Sequence, residues 1–249
     1  MIIALLMGRK LSKGFPGKNL HFVLRRPLAY YPIKAAKECP EIDKVYLSTD
    51  DEQLRELAAK NGIEIIRRPP ELCTDEALGE LVYVHAYNSA REVLSTEERN
   101  GEIELIVLLM CNAATIISTT ISEGIKVLRN TPEYDSAVTV SKYNMWSPLR
   151  ARKIGDDGLL HPFVPFETFG DPKALNCDRD SQGDVWFADM GVSIVRPRCL
   201  ENLENGLLPQ KWMGQKIYPL KQWGGLDVDY EWQIPQVEYW LKKNGLSGQ

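Results

Sequence analysis

Ile2-Ile3-Ala4-Leu5-Leu6-Met7 runs straight into Gly8-Arg9-Lys10-Leu11-Ser12-Lys13-Gly14-Phe15-Pro16-Gly17-Lys18-Asn19. The first six residues form an unbroken apolar run, the pattern of a strand buried on both faces. The next twelve hold four cations and three glycines. Glycine lets backbone N–H groups turn toward an anion at close range, and the lysines and arginine supply charge that a triphosphate would neutralise. A loop directly after the first strand is where Rossmann-like folds bind phosphates. A Walker loop needs Gly-Lys-Ser/Thr beginning five residues after its first glycine, where Lys13 stands, and no Gly-x-Gly-x-x-Gly pattern is present. Taken alone, the loop also reads as a solvated basic turn.

Working outward, strand-like and helix-like stretches alternate. Helical spacing covers Leu28 to Cys39 and stops at Pro40. Lys44 to Ser48 is strand-like, and Thr49-Asp50-Asp51 offers a helix cap before Leu54, Leu57 and Ala58, with Asn61-Gly62 as the stop. Ile63 to Ile66 is a further short run. A longer helix is predicted from Glu76 to Leu94, with Leu78, Leu81, Val82, His85 and Ala86 on one face. Ile103 to Met110 predicts a central strand, followed by a helix through Ile121, Ile125 and Leu128. This order predicts an α/β fold: a mostly parallel sheet flanked by helices, with ligands beyond the carboxyl ends of its strands.

The rhythm changes near Asp135. Short β-like runs, several prolines and an Asp157-Gly158 turn occupy the stretch to Asp184, and the strand pattern resumes at Val192 to Val195. Residues 1–135 and 185–249 are therefore expected to build the main domain, with 136–184 inserted. Asp229 to Lys243 is predicted helical, with Pro235 in its first turn.

Composition narrows the function classes. With 249 residues and 44% hydrophobic content the chain can bury a sizeable core, and a net charge of −4 gives no whole-molecule attraction to nucleic acid or an acidic membrane. No apolar stretch reaches the length of a membrane span or a signal core. Five cysteines without a Cys-x-x-Cys pair read as free thiols of a cytoplasmic protein.

Near the other end, Leu226-Asp227-Val228-Asp229 places two carboxylates at i and i+2, on one face of an extended backbone. Hard oxygen donors at that spacing suit Mg²⁺ shared with substrate phosphates, and Mn²⁺ as the second choice. Gly224-Gly225 just before would let the chain approach a ligand. The alternative is that Asp229 merely caps the last helix.

Arg9, Ser12, Lys13, Gly14, Lys18 and Asn19 match, in order, an N-terminal signature of the form Ala-Arg-x-x-Ser-Lys-Gly-x-x-x-Lys-Asn, and here the chain resembles the CMP-sialic acid and CMP-Kdo synthetase family. Val45 to Asp50 and the block Arg67-Arg68-Pro69-Pro70-Glu71-Leu72 with Thr74-Asp75 are similar to further family elements. The resemblance implies a Rossmann-like nucleotidyltransferase fold, CTP held by the signature residues and Arg68, Arg9 and Lys18 acting on phosphate charge, and a metal at Asp227 and Asp229. Two departures stand out. Leu11 occupies a position where Gly or Asn is common, awkward if the backbone there needs positive φ. Leu109-Met110-Cys111-Asn112-Ala113-Ala114 replaces the frequent Leu-Gln-Pro-Thr-Ser-Pro, so Met110 takes the place of a glutamine and Asn112 is the polar group left for the nucleotide. This variant is similar to a subgroup near the legionaminic acid enzymes.

The implied reaction transfers CMP from CTP to a nonulosonic acid. The polar run Asn176 to Asp184 offers Arg179, Ser181 and Gln182 to such an acid's carboxylate, hydroxyls and acylamino groups. In the resembling enzymes the insertion builds a homodimer, for which Trp146, Phe163, Phe166 and Phe169 are suitable anchors. Two other classes remain open on the residues alone: a metal-dependent glycosyltransferase consuming a nucleotide-sugar, and a nucleotide-binding subunit without turnover.

Overall fold

The computed structural model describes residues 1–74, 76–96, 102–181 and 183–246. In chain order the elements are β1 (Ile2–Met7), a short hairpin of β2 (Phe22–Val23) and β3 (Arg26–Pro27), α1 (Tyr30–Lys37), β4 (Lys44–Thr49), α2 (Glu52–Lys60), β5 (Glu64–Arg67), α3 (Gly79–Thr96), β6 (Leu105–Met110), α4 (Ser118–Asn130) and β7 (Ser136–Lys142). There follow β8 (Arg152–Ile154), β9 (Leu160–Pro162), β10 (Trp186–Val195), α5 (Pro197–Glu201), β11 (Ile217–Gln222) and α6 (Ile234–Lys243).

Seven strands form one sheet in the order β11-β7-β10-β6-β1-β4-β5. β1 pairs in parallel with both β4 and β6, β4 with β5, and β11 with β7, while β10 runs antiparallel to β6 and β7. The register Met7↔Ser48 and Met7↔Met110 brings the carboxyl ends of three strands to one edge of the sheet.

β1 is buried along its whole length because helices cover both faces. Ile2, Ala4 and Leu6 pack with Ile33, Leu54 and Ile121 from α1, α2 and α4. Ile3, Leu5 and Met7 pack with Tyr83, Ala86 and Ala90 of α3. A third cluster joins Val23 and Leu28 to Val228 and to Val237, Trp240 and Leu241 of α6.

Several expectations are met closely. Asp51 caps α2, its side chain accepting from the Gln53 N–H at 2.9 Å, and Gly62 leaves the helix at φ +66°. Pro235 sits in the first turn of α6, and Gly158 turns the β8–β9 hairpin at φ +74°.

Two expectations are corrected. Residues 136–142, assigned to the insertion, form β7 inside the main sheet, so the excursion from the sheet spans 143–185. The polar residues that disguised this strand are buried and internally bonded: Ser136 Oγ donates to the Met213 carbonyl at 2.5 Å, and Ser141 Oγ to Asp189 Oδ2 at 2.6 Å. In α3 the buried stripe is Val82, Tyr83, Ala86, Tyr87, Ala90 and Leu94, while Leu78 and Leu81 are exposed. The helix begins at Gly79, which leaves Leu78 ahead of it, and the face turned to the sheet carries Tyr83 and Tyr87 beside Val82 and Ala86, with His85 only half-buried.

Among the described residues, no helix is long and apolar enough to cross a membrane.

Candidate active site

At the carboxyl ends of β1, β4 and β6 the basic loop meets the carboxylate stretch. The loop leaves β1 at Gly8, where an added Cβ would lie 2.8 Å from both Cys111 Sγ and Leu54 Cδ1. Gly8 N–H bonds to the Ser48 carbonyl at 3.2 Å, and Lys10 N–H to Asp50 Oδ1 at 2.8 Å, so β4 anchors the loop's first residues. Arg9 reaches across to the Thr74 carbonyl at 3.0 Å. Gly17 turns the chain at φ +73° into the short helix Lys18–Leu20, which aims Lys18 back into the site. Asn19 is buried and its Nδ2 holds the Arg9 carbonyl at 3.1 Å, closing the loop on itself. Leu11 is exposed and does not adopt positive φ, so its bulk causes no strain.

The carboxylates arrive from the other side. Val228 is fully buried, and Asp227 and Asp229 flank it on the opposite face, as the i, i+2 spacing requires. Asn112 fixes this stretch: its Nδ2 donates to the Val228 carbonyl at 2.9 Å and lies 3.4 Å from Asp227 Oδ2, and the Val228 N–H returns to the Asn112 carbonyl at 2.9 Å. Thr115 holds Leu226 through paired bonds of 3.0 and 3.1 Å. Gly225 is not a point of ligand approach, contrary to expectation. A Cβ there would sit 2.2 Å from the buried Asp189 carboxylate, so the glycine serves packing beneath the carboxylates.

Loop and carboxylates touch. Lys18 Nζ lies 2.6 Å from Asp229 Oδ1, with Lys18 largely buried and Asp229 more than half exposed. A Cβ on Gly14 would lie 2.5 Å from the Asp229 carbonyl oxygen, so only glycine allows this approach. Burial, and then the charge of Asp229, push the Asp227 carboxyl above the usual range, while Lys18 and Asn112 oppose the shift. A divalent cation would relieve that repulsion, and the two hard oxygen donors are of the type that suits Mg²⁺. No group of three or more His, Cys, Asp or Glu side chains suited to a metal occurs among the described residues.

Together these groups line a cavity of about 420 Å³. It contains Arg9, Ser12, Lys13, Gly14, Lys18, Asn19, Arg68, Asn112, Asp227 and Asp229, ten of the residues singled out from the sequence. Arg68 is buried, its Nη2 donating to the Ser48 carbonyl at 2.9 Å, and burial lowers its affinity for its proton. Met7, Gly8, Leu72, Thr74, Ala77, Gly79, Val82, Tyr83, Met110 and Tyr230 complete the lining. Sequence reasoning missed Tyr83 and Tyr230 as site residues, although Tyr230 directly follows the Asp-x-Asp stretch and Tyr83 is one helical position past Val82.

Arg179 and Ser181 do not line this cavity. Arg179 pairs with Asp180 at 2.8 Å and is exposed, and Ser181 Oγ donates to the Asp178 carbonyl at 2.9 Å. Gln182 and Asp75 lie outside the described residues.

A model of the cytidylyltransferase family matches residues 3–154. An N-acylneuraminate cytidylyltransferase of Streptococcus agalactiae is 36% identical over 106 residues, 42% of this chain and 24% of that protein. Its counterpart from Escherichia coli O18:K1:H7 is 31% identical over 143 residues, covering 57% of this chain and 32% of that protein. The Oncorhynchus mykiss protein of the same name is 23% identical across 94% of this chain and 49% of its own length. The chain thus spans a quarter to about half the length of these relatives. Among solved structures, CMP:2-keto-3-deoxy-manno-octonic acid synthetase complexed with CTP superposes at TM-score 0.65 with 14% identity, over 98% of this chain and 99% of the other. The 4-diphosphocytidyl-2C-methyl-D-erythritol synthase of Anaerococcus prevotii gives TM-score 0.59 at 14% identity, over 97% and 96%. Both likenesses establish the Rossmann-like nucleotidyltransferase fold.

Proposed function

The chain belongs to the cytidylyltransferase family, and we propose that it transfers CMP from CTP to a nonulosonic acid (sialic, legionaminic or a related 2-keto sugar acid), releasing pyrophosphate. The observation that carries this reading is the 2.6 Å Lys18–Asp229 pair, which joins a phosphate-type loop and a metal-type carboxylate stretch in one cavity.

In the reaction the anomeric hydroxyl oxygen bonds to the α-phosphorus of CTP while the bond from that phosphorus to the oxygen bridging to the β-phosphate breaks. Charge grows on phosphate oxygens, so the protein's task is positioning and electrostatic stabilisation. Lys18, Lys13 and Arg9 with the loop N–H groups hold the triphosphate, and Ser12, Gly14 and Asn19 shape the loop around it. Arg68 contacts the nucleotide. Asn112 keeps Asp227 and Asp229 in place. Asp227 and Asp229 would hold magnesium, or manganese in its stead, which would supply neutralising charge at the phosphates. The hydroxyl proton passes to one of these carboxylates or to water.

We further propose that two copies pair through the excursion, where Trp146, Ile154, Leu160 and Phe163 leave large apolar side chains exposed. In such a dimer Arg179, Ser181 and Gln182 serve the acceptor of the neighbouring subunit. The five free cysteines suit a cytoplasmic setting.

The test is pyrophosphate release from CTP with Mg²⁺ across sialic, legionaminic, pseudaminic and Kdo acceptors. Acceptor-dependent release is expected, and its absence with every acid overturns the reading. Sedimentation at micromolar concentration tests the dimer: Leu160→Glu should yield a monomer, and a monomeric parent protein would remove the interface.

A further inference from the structure

The stretch 225–229, which carries Asp227 and Asp229, belongs to no strand or helix. Side chains therefore fix its backbone where a ladder would otherwise do so. The Gly225 N–H donates to Ser141 Oγ at 2.9 Å, and the Gly225 carbonyl accepts from the Tyr143 hydroxyl at 2.8 Å. Leu226 is held at both backbone groups by Thr115 Oγ1. Ser141 and Thr115 in turn lead to one buried carboxylate, that of Asp189. Ser141 Oγ donates to Asp189 Oδ2 at 2.6 Å. Gln222 Nε2 donates to the same oxygen at 2.9 Å and to the Thr115 carbonyl at 3.2 Å. The Gly191 N–H donates to Asp189 Oδ1 at 3.1 Å.

The strand is bent to put Asp189 there. Ala188 pairs with Val140 and Ser193 with Val138, so Asp189, Met190, Gly191 and Val192 oppose the single residue Thr139. Such a bulge re-aims a side chain. Met190 takes a left-handed backbone at φ +62°, a conformation that a residue with a Cβ disfavours. The outcome is a carboxylate only 5% exposed, set under Gly225 so closely that a Cβ on that glycine would lie 2.2 Å from it. All three of its bonds place a donor on a carboxylate oxygen. An asparagine cannot fill that role at both positions, because one of its two polar atoms is itself a donor. The Ser141 hydroxyl has one proton, and giving it to Asp189 leaves its oxygen to accept from Gly225.

We propose that Asp189 is a positioning residue for the Asp227–Asp229 pair: it orients Ser141 and Gln222, and through them fixes Gly225 and Leu226, so that the two carboxylates are set for a divalent cation. This rests on the metal role proposed above for that pair. Asp189 itself touches neither cation nor substrate in this scheme; it acts on the backbone that leads into Asp227.

The test is Mn²⁺ binding by the whole chain without substrates, followed by loss of the free ion's electron paramagnetic resonance signal. Asp189→Asn should weaken binding by about 10- to 100-fold, the usual cost of losing a partner behind the metal ligands. Gln222→Met keeps the side-chain length, removes both amide bonds and should weaken binding in the same direction; it decides alone if Asp189→Asn does not fold. Asp135→Asn alters a half-buried carboxylate at the opposite end of β7 and should bind Mn²⁺ as the parent does. Parent-like affinity in Gln222→Met or in folded Asp189→Asn overturns the assignment. Equal weakening in Asp135→Asn also overturns it, because the effect would then be a general loss of stability. If the parent binds no Mn²⁺, or Asp229→Asn binds it as well as the parent, the metal reading itself fails and this inference falls with it, an outcome distinct from failure of the Asp189 and Gln222 variants.

Discussion

Lys18 Nζ and Asp229 Oδ1 stand 2.6 Å apart although 211 positions separate them in the chain. The pair holds the basic loop against the carboxylates, each charge serving as the other's counter-ion. On the proposed reaction, a triphosphate with its divalent cation would offer both residues stronger partners, and the pair would exchange its ions on binding. Because Asp229 is more than half exposed, solvent screening keeps the pair weak and that exchange cheap.

On the proposed reaction Lys18 would act on charge that develops in the transition state, so Lys18→Ala should lower kcat by about a hundredfold or more while leaving the fold intact. Asp229→Asn should reduce activity comparably and raise the Mg²⁺ concentration needed for half-maximal rate. Pyrophosphate release measured against Mg²⁺ checks both. Near-normal turnover in either folded variant removes that residue from the site.

Gly14→Ala adds a single methyl group that would lie 2.5 Å from the Asp229 carbonyl oxygen. The loop or the carboxylates must move apart, and a displacement approaching an ångström in such a site costs on the order of a hundredfold in rate. The melting temperature should change little, because the contact lies at the surface edge of the core.

Arg68→Lys should raise the KM for CTP and lower stability. Lysine keeps the charge but loses the planar fork that bonds to Ser48, about 1–3 kcal/mol for a buried charged donor. Chemical denaturation alongside nucleotide titration separates the two effects.

Asp135 provides the pH test. Burial alone would raise its pKa, but the Lys216 and Gln215 N–H groups and Arg198 outweigh burial and hold the carboxyl below the usual range. A depressed folded-state pKa contributes stability above the ordinary aspartate value of about 4, lost as pH falls through the lower folded value. Asp135→Asn should thus destabilise the protein by about 1–3 kcal/mol at pH 7 and show a shrinking deficit below about pH 4. A deficit that stays constant down to pH 2 would contradict the linkage.

Much of this protein was legible along the chain because it is governed by neighbours in sequence. The apolar run of β1, the caps and stops of α2, the glycine-rich loop and the i, i+2 carboxylates each depend on local backbone geometry, and each appears where those rules put it. The resemblance in the loop named residues that do share one cavity. What local pattern could not supply was the partner of each polar side chain. Ser136, Thr139 and Ser141 made β7 look like part of the insertion because their bonds go to residues more than forty positions away. Gly225 looked like a ligand contact because the Asp189 carboxylate that fills its space comes from β10. Tyr83 drew no reading from the sequence because only the fold sets its hydroxyl beside Met110. Backbone propensity is a short-range property, whereas side-chain satisfaction and close packing depend on segments that meet only when the sheet assembles. That is why the strands and the loop could be read from residue order, and the contacts of Tyr83, Asn112 and Gly14 only from the folded chain.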